Sequence, residues 1–246
     1  MGEISIDPKF NIHETYKKVR ILNPYRNSGV SLLSGTVGYY KFENNFIDEI
    51  NGYNGQPSVP YQFDPGKSGV AASFNITSYV EIPDNNDYSI TNSGFSISLF
   101  AKFTSQGAGQ IIINKAANVS DKYEWNFLYD TSGLKIFITD GTTTNYFVKD
   151  YAFTPTIGVW YHLAMTYDGS LTLNGIKLYI DAVEGGTGSI IGSVTSTGNT
   201  ISPTVLGVGG WNKETQTGHF TGLMDELKLF KRALTPTEIN TEFNRL

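Results

Sequence analysis

Residues 220–239 read FTGLMDELKLFKRALTPTEI, and this stretch carries a strand, an acid pair and a helix start in immediate succession. The run 220–233 has the β-propensity and patterning of a strand, with Asp225 and Glu226 near its start. The following LTPTEINTEF (234–243) has every mark of a helix N-terminus. Thr235 is a fitting cap, Pro236 stands at the first helical position, and Glu238 lies three residues after the cap, as a capping box requires. The acid pair is open to three readings: catalytic, metal-binding, or the solvated edge of a sheet. What the rest of the chain builds decides between them.

Working outward, strand-like runs recur along the chain: TVGYYKFE (36–43), VAASF (70–74), SYVEIP (78–83), GFSISLFAKF (94–103), GQIIINK (109–115) and YEWNFLYD (123–130). They continue through GLKIFITD (133–140), TNYFVKD (144–150), GVWYHLAMTYDG (158–169), GIKLYIDAVE (175–184) and PTVLGVGG (203–210). VAASF and SYVEIP read as a hairpin pair across NIT, and DTSG links two later strands by a tight turn. In WYHLAMTY, Trp160, His162, Ala164 and Thr166 alternate with Tyr161, Leu163, Met165 and Tyr167, so one face is strongly apolar. Many short strands joined by turns, with one helix at the end, predict an all-β, two-sheet antiparallel sandwich over 30–246. Residues 1–29 mix charged and β-branched residues without a sustained period, end in the turn formers NPYRNSG, and read as an N-terminal arm.

Composition agrees with this class. Aromatics make up 13% of the 246 residues and glycines number 26, a mixture that suits strands and turns. The absence of cysteine removes disulfides, thiol chemistry and Cys-ligated metals. The net charge is −5, and the cations Lys9, Lys17, Lys18, Arg20 and Arg26 gather in the arm without forming a basic stripe, which argues against nucleic acid as a partner. No run approaches the roughly 18 apolar residues of a membrane-spanning helix. The first residues also lack the positive-then-apolar order of a signal peptide.

Four stretches, in order, resemble the laminin-G-like jelly rolls of the concanavalin A-like superfamily: GYYKFENNFIDEINGYNG (38–55), YVEIPDNNDYSITNSGFSISLFAKF (79–103), GVWYHLAMTYDG with IKLYIDA (158–182), and the opening stretch itself. The resemblance covers about residues 36–246 and implies a jelly-roll sandwich. It also implies a structural Ca²⁺ held by an acid of the first loop and an acid at the start of the last strand. The matching positions are Asp48 and Asp225, with main-chain oxygens from residues such as Asn51 and Gly52, since a hard cation takes oxygen ligands. Related glucanases carry a Glu-x-Asp-x-Glu triplet on one strand. This chain has none, and strict alternation through 225–227 puts Asp225 and Glu226 on opposite faces, so a non-enzymatic module is expected and a glycoside hydrolase is the lower-ranked alternative.

Such a module presents loops or a sheet face. Sugars are recognised by an aromatic platform flanked by amides and carboxylates, and the candidates are Trp211 with Asn212 and Tyr123 with Trp125. His162 reads as structural. The expected ligand is a carbohydrate or a protein at an extracellular or cell surface. An alternative is a phage virion or other particle decoration protein, with residues 1–29 mediating assembly through a neighbour's sheet edge.

Overall fold

The computed structural model describes residues 34–90, 93–107, 109–117, 123–142, 144–197, 204–209 and 218–246. The chain divides into Met1–Ser34 and Gly35–Leu246. The predicted arm lies outside the described residues.

In chain order the strands are β1 (Thr36–Tyr40), β2 (Gln56–Pro57), β3 (Gln62–Pro65), β4 (Val70–Phe74), β5 (Val80–Ile82), β6 (Phe95–Phe103), β7 (Gln110–Ala117) and β8 (Tyr123–Asp130). They continue as β9 (Gly133–Thr139), β10 (Tyr146–Ala152), β11 (Trp160–Tyr167), β12 (Ile176–Ile180), β13 (Val183–Gly185), β14 (Thr187–Ile191), β15 (Thr204–Val208) and β16 (Gly222–Phe230). One helix, α1 (Pro236–Asn244), follows.

The strands form two eight-stranded antiparallel sheets. One runs β13-β12-β11-β6-β16-β4-β3, with β1 also pairing to β16; the other runs β14-β10-β9-β8-β7-β15-β5-β2. Helix α1 lies on the outer face of the first, where Ile239 and Leu234 pack with Ala164, Tyr179 and Phe230. We call this the helix-side sheet and the other the opposite sheet. Between them sits the core, with Ile97, Leu99, Leu163 and Met165 on one side and Trp125, Phe127, Ile136 and Ile138 on the other. Strand β6 is buried at every residue but Lys102, because β11 and β16 flank it and both its faces are covered.

The all-β two-sheet sandwich and the closing helix are as the sequence predicts. Thr235 Oγ1 accepts from the Glu238 amide at 3.3 Å, and the Glu238 carboxylate accepts from the Thr235 amide at 2.8 Å, completing the capping box. One local expectation is overturned. VAASF and SYVEIP do not form a hairpin: β4 pairs with β3 and β16, whereas β5 pairs with β15 and β2. The turn at Asn75–Ser78 carries the chain from one sheet to the other, a crossing that strand propensity alone does not reveal.

Candidate functional site

Two irregularities in the strands decide where the candidate site residues point. In β8 the register runs Lys115↔Trp125 and then Ala116↔Tyr123, so Glu124 is an extra residue. A bulge of this kind puts two neighbours on one side of a strand and reverses the alternation beyond it. Trp125 and Glu124 both turn inward. Trp125 is fully buried, packs 5.5 Å from Phe95 and donates its indole N–H to Tyr88 O at 2.9 Å. Its assignment to a sugar platform is therefore corrected: the ring is a core residue with no face to offer. Tyr123 goes to the outer face of the opposite sheet, with its ring edge-on to Phe137 at 6.2 Å. Phe137 meets Tyr146 at 5.7 Å. Three partly exposed rings from β8, β9 and β10 thus form one row, beside Asn126, which pairs with Phe137 across the strands.

Glu124 itself meets the fully buried Lys115 at 3.2 Å, and the same ammonium reaches Asp84 at 2.8 Å and Ser89 Oγ at 2.8 Å. Burial raises the Glu124 pKa, opposed by the Lys115 charge. This cluster ties the loop before β6 to the opposite sheet.

The second irregularity lies in the acid pair. Between Asp225 and Lys228 the register to β6 slips by one, and Glu226 takes a left-handed backbone, φ 57°. Glu226 thereby leaves strict alternation. Its carboxylate accepts from Tyr39 Oη at 2.6 Å and from Arg245 at 2.5 Å. Asp225 is fully buried and its Oδ2 accepts from the amides of Lys67 and Ser68 at 2.8 and 3.0 Å. Both acids thus find partners on the outer side of the helix-side sheet, contrary to the opposite-face expectation, yet each is engaged by a different segment.

Asp48 and Asp225 differ sharply as cation ligands. The Asp48 carboxylate accepts from four backbone amides, Tyr39, Ile50, Asn51 and Tyr53, at 3.0, 3.1, 3.1 and 3.3 Å. Its oxygens organise the loop. Asn51 donates through its side chain to Val37 O at 3.1 Å, and the Gly52 carbonyl accepts from Asn54 at 2.9 Å. Asp225 Oδ1, by contrast, is buried with no hydrogen-bond partner. Burial pushes its pKa up to about 7, with Glu226 and Glu43 adding to the rise. Glu43 stands between two left-handed residues, Phe42 and Asn44 (φ 63° and 57°), and accepts from the Val70 amide at 3.3 Å. Sequence reading passed over Glu43, whose only signal was its place at the end of the first strand. No group of three or more His, Asp or Glu side chains suited to a metal exists among the described residues, so any cation at Asp225 would need main-chain oxygens as well.

His162 is sealed under α1, its Nε2 2.8 Å from Ser98 Oγ, and burial depresses its pKa to about 4. It is structural, as its place in the alternation implies. Trp211 and Asn212 lie outside the described residues.

The fold has well-matched relatives among solved structures. Domain 4 of AbnA, a GH43 extracellular arabinanase from Geobacillus stearothermophilus, in complex with arabinotriose, superposes with a TM-score of 0.67 at 21% identity, over 85% of this chain and 98% of that one. The binding domain of Paraclostridial Mosquitocidal Protein 1 gives 0.63 at 16% identity, over 87% of this chain and 53% of that one. The ligand binding domain of botulinum neurotoxin serotype D, in complex with N-acetylneuraminic acid, gives 0.63 at 15% identity, over 88% and 53%. The chain therefore spans about half of those toxin binding domains. At these identities the likeness is one of fold. No curated protein matches the sequence. The family model of the concanavalin A-like lectin/glucanases superfamily, Laminin_G_3, matches residues 74–240, and the chain belongs to that superfamily.

Proposed function

We propose that this protein is a non-catalytic carbohydrate-binding module acting at an extracellular or cell surface. The observation that carries the reading is the aromatic row Tyr123–Phe137–Tyr146 on the outer face of the opposite sheet. Partly exposed rings from three adjacent strands give sugar rings an apolar face to lie on, and Asn126 adds an amide beside them. The sugar-bound arabinanase domain and the sialic-acid-bound toxin domain share the fold, and their ligands make arabinotriose and N-acetylneuraminic acid the first probes. Calorimetric titration of the wild type and of Phe137→Ala and Tyr146→Ala tests the reading. A tenfold loss in either variant supports it. Binding that is unchanged in both, or no binding across a glycan array, overturns it.

A structural Ca²⁺ belongs to the same proposal, anchored by Asp225 with Glu43 rather than by the amide-saturated Asp48. The orphaned Asp225 Oδ1 is the feature that favours it. When bound, the ion would neutralise the buried carboxylate and join the first loop, the β3–β4 hairpin and β16.

A second reading, assembly into a particle through residues 1–29, draws on one observation. Strand β14 is an edge strand exposed at every residue, with Ile190 and Ile191 51% and 42% exposed. Such an edge accepts an added strand. Mass measurement of the full chain and of a chain lacking residues 1–29 separates the readings, since assembly that vanishes with the arm supports the particle.

A further inference from the structure

On the outer face of the helix-side sheet, one row of residues runs across five strands. Trp160 in β11 pairs with Lys102 in β6, Lys102 with Leu223 in β16, Leu223 with Ser73 in β4, and Ser73 with Gln62 in β3. Helix α1 reaches the neighbouring row, where Phe243 lies 6.0 Å from His162. Along this row an open groove of about 360 Å³ is lined by Asp64, Ser73, Lys102, Thr104 and Leu223 among others, and Trp160 stands outside that lining, beside Lys102. That volume lies within the roughly 300–1,000 Å³ of small-ligand sites.

The chemistry of the groove is mixed in a particular way. The Lys102 ammonium stands 5.1 Å from the centroid of the partly exposed Trp160 ring. Among the described residues, Lys102 and Asp64 have no ion-pair partner, and the hydroxyls of Ser73 and Thr104 have no hydrogen-bond partner. An indole face, a donor-only ammonium, an acceptor-only carboxylate and two hydroxyls are what a sugar ring with an apolar face and vicinal hydroxyls requires. By contrast, Arg232 is paired with Glu238, and Arg245 with Glu226 and Glu242.

We propose that this groove is a second glycan subsite, which takes a short neutral oligosaccharide with one sugar ring stacked on Trp160 and its hydroxyls shared between Lys102 and Asp64. The aromatic row lies on the other outer face of the sandwich. The protein therefore carries two sites that face away from each other and bridges two glycan chains, raising its avidity for a polysaccharide surface over either site alone.

The experiment is a titration of the ¹⁵N-labelled protein with xylotriose, cellotriose, mannotriose and galactotriose, observed at the indole N–H signals. Trp125, held in the core by Tyr88 O, supplies an internal reference. The expected result is that at least one trisaccharide moves the Trp160 signal and leaves Trp125 in place. Affinity at that signal then falls at least tenfold in Lys102→Met and in Asp64→Asn, and is unchanged in Phe137→Ala. No shift of Trp160 at millimolar sugar, or a shift that persists in both groove variants, overturns the subsite. A response confined to residues around Phe137 also overturns it while upholding the function proposed above. A response confined to Trp160 upholds the subsite and removes the aromatic row.

Discussion

Lys228 Nζ stands 2.9 Å from both carboxylate oxygens of Glu242, and the two side chains are only 6% and 1% exposed. The pair joins β16 to α1 and continues through Arg245 (2.7 Å from Glu242) to Glu226 and on to Tyr39 Oη in β1. The first strand, the last strand and the helix are thus tied by one chain of charges.

Removing one partner of a buried ion pair leaves the other charge uncompensated, at roughly 3–5 kcal/mol, whereas replacing both with apolar groups is often neutral. Burial lowers the Lys228 pKa even with Glu242 opposing it, so the ammonium depends on its partner. Lys228→Met and Glu242→Leu are each expected to lower the urea midpoint strongly, and the double variant to recover most of the loss. Additive losses in the double variant would contradict this coupling.

The helix start makes a smaller contribution. Thr235→Ala deletes the side-chain half of the capping box and is expected to cost about 1 kcal/mol. Arg232 pairs with Glu238 at 2.6 and 2.9 Å and, with the Thr235 amide, pulls the Glu238 pKa down to about 2. That stabilisation is present above the ordinary glutamate pKa and is lost as pH falls through about 2. In Glu238→Gln, therefore, the deficit relative to wild type should be full at neutral pH and shrink below pH 4. A deficit independent of pH would assign the role of Glu238 to packing.

The sheets and the capped helix were legible because each depends on local patterning: alternation in WYHLAMTY, turn residues at fixed offsets, and T-P-T-E at the helix start. The site was less so, because it depends on breaks in that pattern. Alternation puts Tyr123 and Trp125 on one face, and the extra residue Glu124 parts them into surface and core. Alternation likewise separates Asp225 from Glu226, and the left-handed Glu226 undoes it. A bulge is set by cross-strand register, which no single stretch of sequence contains. Trp160 illustrates a related loss. Its phase follows from the alternation in WYHLAMTY, but its partial exposure depends on the helix covering His162 in the neighbouring row.

Two buried groups should oppose each other in acid. His162 has its pKa depressed to about 4 by burial, so the unfolded chain takes up a proton near 6.5 that the folded chain refuses. His162 therefore favours the folded state above 6.5, and this advantage is lost as pH falls towards 4, by an amount on the order of 3 kcal/mol. For Asp225, raised to about 7 by burial, the sign is reversed: the folded chain binds the proton first, and stability grows as pH falls from about 7 towards the ordinary carboxylate value. In chelator, wild-type stability should change little between pH 7 and 4. Asp225→Asn should decline below 6.5, and His162→Gln should gain. Parallel profiles in the three proteins would refute the assignment.

Calcium is expected to separate Asp48 from Asp225. If Asp225 anchors the ion, added CaCl₂ raises the melting temperature of wild type, chelator reverses the rise, and Asp225→Asn abolishes the response. Asp48→Asn is expected to behave differently. Loss of a carboxylate that collects four backbone amides destabilises the first loop, by roughly 1–3 kcal/mol for the amides left poorly paired. The calcium-induced rise should nevertheless persist, because Asp48 has no oxygen to spare for the ion. Glu43→Gln supplies the third comparison: it should weaken the response without the baseline loss expected for Asp48→Asn, since among the described residues its carboxylate accepts only the long bond from the Val70 amide. A calcium response lost in Asp48→Asn and retained in Asp225→Asn would return the ion to the first loop and leave the Asp225 Oδ1 without a cation.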